Sequence, residues 1–131
     1  MTSDELWLGQ YIDRECCDVV TRGRRSGREH VVELWFGVIN ESIYFISGNG
    51  RGADWFANIV AYPEVEARFD NDHRIGIARV ISDADERRRV GDLMGAKFDW
   101  DGDDDIKLSR QAWCYEVPAV AIDNWKPRPA T

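Results

Sequence analysis

Short runs of β-branched and aromatic residues, closed off every few positions by turn clusters, constrain the fold of this 131-residue chain more than any other feature. His30-Val31-Val32-Glu33-Leu34-Trp35-Phe36-Gly37-Val38-Ile39 ends at Asn40-Glu41-Ser42, and Ile43-Tyr44-Phe45-Ile46-Ser47 follows. Side chains of this type favour a pleated, half-buried surface, so the spacing predicts a hairpin of 30–39 with 43–47. Cys17 to Thr21 reads as a strand before it. Past Pro63, Val65 to Phe69 alternates, Asp70-Asn71-Asp72 supplies a turn, and Ile75 to Ile81 returns as the second arm of another hairpin. Gln111 to Val117 and Ala119 to Trp125, around Pro118, read as two closing strands.

Helical signals are fewer. Thr2-Ser3-Asp4-Glu5 has the form of a capping box ahead of Leu6, Trp7 and Leu8. Ala53 to Ala61 has helical apolar spacing and stops before Pro63, and Ser82-Asp83-Ala84-Asp85 caps a helix through about Lys97. Six or seven antiparallel strands with two or three helices predict a mainly β (α+β) architecture, a small barrel with helices packed outside. Strands and helices do not alternate, which argues against a doubly wound sheet. The length suits a single domain over 1–131 that buries a core without disulfides or metals. Trp35, Trp55, Trp100, Trp113 and Trp125 fall in or beside these elements and read mostly as packing.

Charge is distributed unevenly. The chain carries a formal net charge of -7, yet Arg22-Gly23-Arg24-Arg25-Ser26-Gly27-Arg28 places four arginines on a glycine-punctuated turn. Such a turn can bring backbone N–H groups and guanidinium forks onto one anionic group. Its plain alternative is a solvated turn paired with surface carboxylates, which contributes only ~0–1 kcal/mol per pair. Nucleic acid is not an expected partner, since phosphate tracking needs a broad basic face. The acidic, polar start is unlike a secretory signal and no apolar run reaches the ~20 residues of a membrane span, so a soluble cytoplasmic protein without stable membrane insertion is expected.

Other chemistries find little footing. Cys16 and Cys17 are adjacent and leave only Cys114 as a partner, so free thiols are expected. His30 and His73 have neither metal-ligand nor triad spacing, and no metal site is expected. The Asp99 to Asp105 cluster fails the calcium-loop pattern, with Asp104 where glycine is needed and Arg110 where glutamate is needed, and reads as a solvated loop. Arg87-Arg88-Arg89 reads as the exposed face of a helix.

Two motifs in register carry a family resemblance. Thr21-Arg22-Gly23-Arg24-Arg25-Ser26-Gly27-Arg28 resembles the T-x-G-R-[KR]-[ST]-G turn of the deazaflavin-dependent nitroreductases, within the flavin/deazaflavin oxidoreductases of split β-barrel fold. Ser47-Gly48-Asn49-Gly50, then Asp54-Trp55-Phe56-Ala57-Asn58 and Pro63-Glu64-Val65, resembles the family's S-x-G-G loop, W-[YFV]-x-N-L helix and N-P-x-V strand entry. The resemblance covers residues 17 to 97.

It implies binding of coenzyme F-420 and hydride transfer between its ring and a small organic acceptor. By position, Arg24, Arg25, Ser26 and Gly27 would hold the phosphate and Arg28 the glutamate tail. Ser47, Gly48, Asn49 and Gly50 would lie near the ring, with Trp55 and Asn58 bracing that loop and Trp35 on the substrate side. Protonation could come from Ser47, Tyr44 or solvent, and no side chain need act as nucleophile. His30, Glu33 and Gly48 depart from arginine, proline and lysine common in related sequences, lowering the positive charge, and Arg51 is a candidate replacement. An FMN-dependent oxidoreductase of the same fold and a non-catalytic binder of a planar or lipid-like ligand stay open. Barrels of this kind often form homodimers.

Overall fold

The arginine turn is the bend of a hairpin. In the computed structural model, which describes residues 7–127, β1 (Cys16–Arg22) and β2 (Glu29–Trp35) run antiparallel, from Arg22 opposite Glu29 to Cys16 opposite Trp35. The run 30–39 is therefore two strands rather than one. Its front half pairs with β1, and only β3 (Gly37–Ile39) pairs with β4 (Ser42–Ile46). The break has a packing cause. Phe36 is fully buried and its N–H donates to Glu15 O at 3.1 Å, while a β-carbon on Gly37 would lie 2.6 Å from Leu93 Cδ2. Only glycine lets the chain pass that close to its neighbour.

β5 (Glu64–Phe69), β6 (Asp72–Val80) and β9 (Ala119–Asp123) complete a seven-stranded antiparallel sheet in the order β2-β1-β5-β6-β9-β4-β3. Its edges, β2 and β3, are separated in the chain by Phe36 alone, so the sheet has to curl until they approach. The result is the expected small split barrel. β7 (Gly102–Asp103) and β8 (Leu108–Ser109) form a separate two-stranded ladder, the first of them inside the 99–105 stretch expected to be a solvated loop.

Strand alternation sorts the core into two layers. Along β4, Ile43 and Phe45 enter the barrel interior with Val19, Phe36 and Phe69, whereas Tyr44 and Ile46 face Val90, Met94 and Trp113 outside it. Fully burying each large apolar side chain contributes roughly 1.5–3 kcal/mol. α1 (Asp54–Ala61) buries Phe56 and Ile59 in the interior layer. α2 (Ala84–Lys97) starts at Asp83, whose side chain accepts from Glu86 N–H at 2.8 Å, and supplies Val90 and Met94 to the outer layer.

The segment expected as a strand over 111–117 is α3 (Arg110–Tyr115). Ser109 Oγ accepts from Ala112 N–H at 3.0 Å, a cap that starts the helix and buries the adjacent Trp113 and Cys114 together. Arg87 is likewise half-buried rather than exposed: it donates to the Trp113 and Cys114 carbonyls in the last turn of α3 and to the Val117 carbonyl just beyond it. The Thr2 to Glu5 capping box lies outside the described residues, and Trp7–Tyr11 forms a 3₁₀ turn. Cys16, Cys17 and Cys114 are free, and burial pushes the Cys17 thiol up to about 12. Among the described residues no helix is long and apolar enough to cross a membrane.

Candidate functional site

The turn between β1 and β2 is closed by its own backbone. Gly23 N–H donates to Arg28 O and Gly27 N–H to Gly23 O, both at 2.8 Å, and Arg28 N–H donates to Ser26 Oγ at 3.1 Å. Gly27 takes φ +72°, where a side chain would be strained. α1 then anchors the turn through Asn58. Its Oδ1 accepts from Arg24 N–H at 3.1 Å and Arg24 Nη1 at 2.9 Å, and its Nδ2 donates to Thr21 Oγ1 at 3.2 Å. Arg24 Nη2 also reaches Asp54 Oδ1 at 3.2 Å. Arg24 is thus a positioning residue. Among the described residues, the N–H groups of Arg25 and Ser26 and the guanidinium of Arg25 have no protein partner, so they are the donors the turn can offer to an anion.

Those donors open on a cleft of about 580 Å³, lined by the turn, by His30 and Val32 of β2, by Asn49 and by Ala53, Asp54, Trp55 and Asn58 at the start of α1. The volume falls in the ~300–1,000 Å³ range of small-molecule sites. Val32, Ala53 and Trp55 give one wall apolar character, and Trp55 meets Phe45 edge-on at 6.4 Å. The loop after β4 is held rigid: Ser47 N–H donates to Pro118 O at 2.8 Å, Gly50 N–H to Ser47 O at 2.9 Å, and Ser47 Oγ to Gly50 O at 2.6 Å. Gly50 takes φ +65°. A larger cleft of about 880 Å³ lies by Ser42, Asp123 and Lys126. Its Arg79 is already matched by Glu86 and Asp123, and its Lys126 by Glu64.

The fold brings Arg24, Arg25, Ser26, Asn49, Trp55 and Asn58 together on one cleft. Gly27, Arg28, Gly48 and Gly50 belong to the same two loops, Gly48 resting on Leu108 and Trp113. Ser47 and Tyr44 are not brought to it. Ser47 is 1% exposed, with its hydroxyl on Gly50 O, and the Tyr44 hydroxyl donates to Glu86 Oε2 at 3.0 Å on the outer layer. Trp35 is 39% exposed and lies flat on Phe98, centroids 4.5 Å apart, with its edge toward Trp113 at 6.0 Å. Trp113 also packs beside Gly48, so this aromatic group adjoins the far side of the glycine loop.

The Tyr44 contact has a consequence for acid stability. Arg79, and secondarily the Tyr44 hydroxyl, hold the Glu86 carboxyl below its ordinary 4.5 against opposing desolvation. A carboxyl depressed by folding contributes stability above its unfolded pKa and loses it as pH falls through the folded value. Glu86→Gln should therefore flatten the decline in Tm as the pH is lowered from about 4.5 toward about 3, which thermal melts against the wild type will measure.

Sequence reasoning quoted Thr21 and Asp54 within the motifs and noted His30 as a departure from them, but gave none of the three a binding role. The signal for His30 was available: counting outward from the turn sets Arg22 opposite Glu29 and Thr21 opposite His30, so the imidazole shares a face with a residue that holds Asn58.

Comparison with known proteins agrees with this fold. A conserved hypothetical protein from Mycobacterium tuberculosis superposes with a TM-score of 0.69 at 16% identity, covering 100% of this chain and 92% of its own. An F-420-H2 dependent reductase gives 0.63 at 18%, covering 84% and 95%, and a putative pyridoxamine 5'-phosphate oxidase from Listeria innocua gives 0.64 at 12%, covering 92% of each. At such identities these likenesses speak for the fold. No curated protein matches the sequence. The model of the F-420H(2)-dependent quinone reductases matches residues 11–102, a span that contains both loops, the helix anchoring them and every residue lining the cleft. The chain belongs to the F-420H(2)-dependent quinone reductase family.

Proposed function

We propose that the protein is an oxidoreductase that holds reduced F-420 in the cleft and passes hydride to a small organic acceptor. The observation that carries this is the convergence of the uncommitted donors at Arg25 and Ser26 with an apolar wall at Trp55 and Val32. The donor set suits a phosphate: a guanidinium fork, two neighbouring N–H groups and a hydroxyl whose oxygen is already engaged by Arg28 N–H. When bound, the cofactor supplies the hydride chemistry. The chain supplies orientation and exclusion of water. Asn58 and Arg24 hold the turn, Arg25 and Ser26 bind the phosphate, Arg28 meets the acidic tail, and the glycine loop borders the ring through Asn49. Trp35, covered by Phe98 on one face, stacks the acceptor on the other.

Loss of a charge-assisted contact costs about 1.5–3 kcal/mol, so Arg25→Ala should weaken F-420 binding roughly ten- to a hundredfold while leaving the hydride step of the loaded protein near wild type. Fluorescence titration with F-420, and with FMN in parallel, measures this. Wild-type affinity in the variant would overturn the phosphate assignment, and binding of FMN alone would transfer the cleft to a flavin.

A further inference from the structure

We propose that His30 is an additional anion contact in this cleft and that it is protonated when the anion is held, so that binding takes up a proton; this rests on the cofactor assignment above. A β-carbon placed on Gly23 would lie 2.6 Å from His30 Nε2 and 2.7 Å from Ser26 Oγ. The imidazole and the serine hydroxyl thus converge on one point that only a glycine leaves open. An anion held by Ser26 sits beside Nε2.

The charges around the imidazole decide what it does there. From the turn, Arg24 and Arg25 face the cleft; from α1, Asp54 does; Glu29 precedes His30 on β2. Arg24 and Asp54 are paired with each other. Among the described residues no ion pair engages Arg25 or His30. An anion bound beside Nε2 gives the protonated imidazole a partner of opposite charge. Any group more readily protonated in the bound state makes affinity fall as pH rises, and imidazole is the side chain that changes charge between pH ~5 and ~8. A histidine where related sequences often carry arginine therefore keeps the cation but makes it conditional on pH.

The test compares F-420 affinity at pH about 6 and about 8 for wild type, His30→Gln and His30→Arg. Titration of the ligand itself is common to all three proteins and cancels in their ratios. Relative to His30→Gln, wild-type affinity should drop about tenfold across that interval, the equivalent of one pKa unit, while His30→Arg binds tightly at both ends. Calorimetry in two buffers of different ionisation enthalpy should show proton uptake in the wild type that His30→Gln lacks. Parallel pH profiles for wild type and His30→Gln, with F-420 bound by both, overturn the role of His30 and leave the cofactor assignment standing. Should F-420 not bind at any pH, that assignment fails, and the same series with sulfate, which does not titrate here, decides the matter for His30: a pH-dependent gap between wild type and His30→Gln retains the inference, and its absence overturns it.

Discussion

Asn58→Ala should lower the melting temperature by about 10 °C and release F-420 binding together with it. Asn58 is 3% exposed and makes three hydrogen bonds, to Thr21 Oγ1, Arg24 N–H and Arg24 Nη1. Alanine leaves the Arg24 amide and the 1%-exposed Thr21 hydroxyl without a partner in a place water reaches poorly, and each such group costs about 1–3 kcal/mol. Stability and binding fall for the same reason, because this side chain is the link between α1 and the arginine turn. Asn58→Asp separates the two contributions. Its carboxylate still accepts from Arg24, and the Thr21 hydroxyl can rotate to donate, so the variant should recover much of the binding. If Asn58→Ala melts with the wild type and binds F-420 equally well, the turn is held by something other than α1. Thermal melts and the fluorescence titration read both quantities on one sample.

Arg87→Ala should cost about 2–4 kcal/mol, the second large effect expected in this chain. Its guanidinium donates to Val117 O at 2.9 Å from Nη2 and 3.2 Å from Nε, to Trp113 O at 3.2 Å, and to Cys114 O. The Trp113 and Cys114 carbonyls lie in the last turn of α3, where no following turn supplies N–H donors, and Val117 lies just beyond it. Burial alone disfavours the charge and lowers the guanidinium's pKa, so the three carbonyls are what hold it in place. α2 and α3 come close enough there that a β-carbon on Gly91 would collide with Cys114 O and the Tyr115 ring. Arg87→Lys should rescue little, since one ammonium cannot span three acceptors that a planar fork reaches. Denaturant unfolding of the two variants beside the wild type measures the loss. Near-wild-type stability in Arg87→Ala would show that packing of Trp113 and Met94, rather than the guanidinium, docks the helices.

The aromatic and β-branched runs are enough to locate most of the strands, because the preference for a pleated surface is local. The arginine turn and the glycine loop are legible for the same reason: their conformations depend on glycines at defined offsets. The segment 111–117 is not. Its aromatic residues suggest a strand, whereas the Ser109 cap and burial of Trp113 beside Cys114 make it a helix, and burial depends on what α2 presents. Arg87 reads as one of three exposed arginines along the chain, and only the carbonyls at and beyond the end of α3 laid across it make it half-buried.

Local chemistry suffices to make this chain a small antiparallel barrel of the deazaflavin and flavin oxidoreductase kind, with basic and glycine loops at strand ends. Those properties reside in short stretches that act on neighbouring residues. Long-range packing is what breaks the strand over 30–39 at Phe36 and turns the Tyr44 hydroxyl away from the cleft. Both outcomes are set by partners distant in the chain: Leu93 against Gly37 and Glu86 against Tyr44. A periodicity records which face is apolar. It does not record which distant group will meet that face, and here that meeting determines which donors remain free for a ligand.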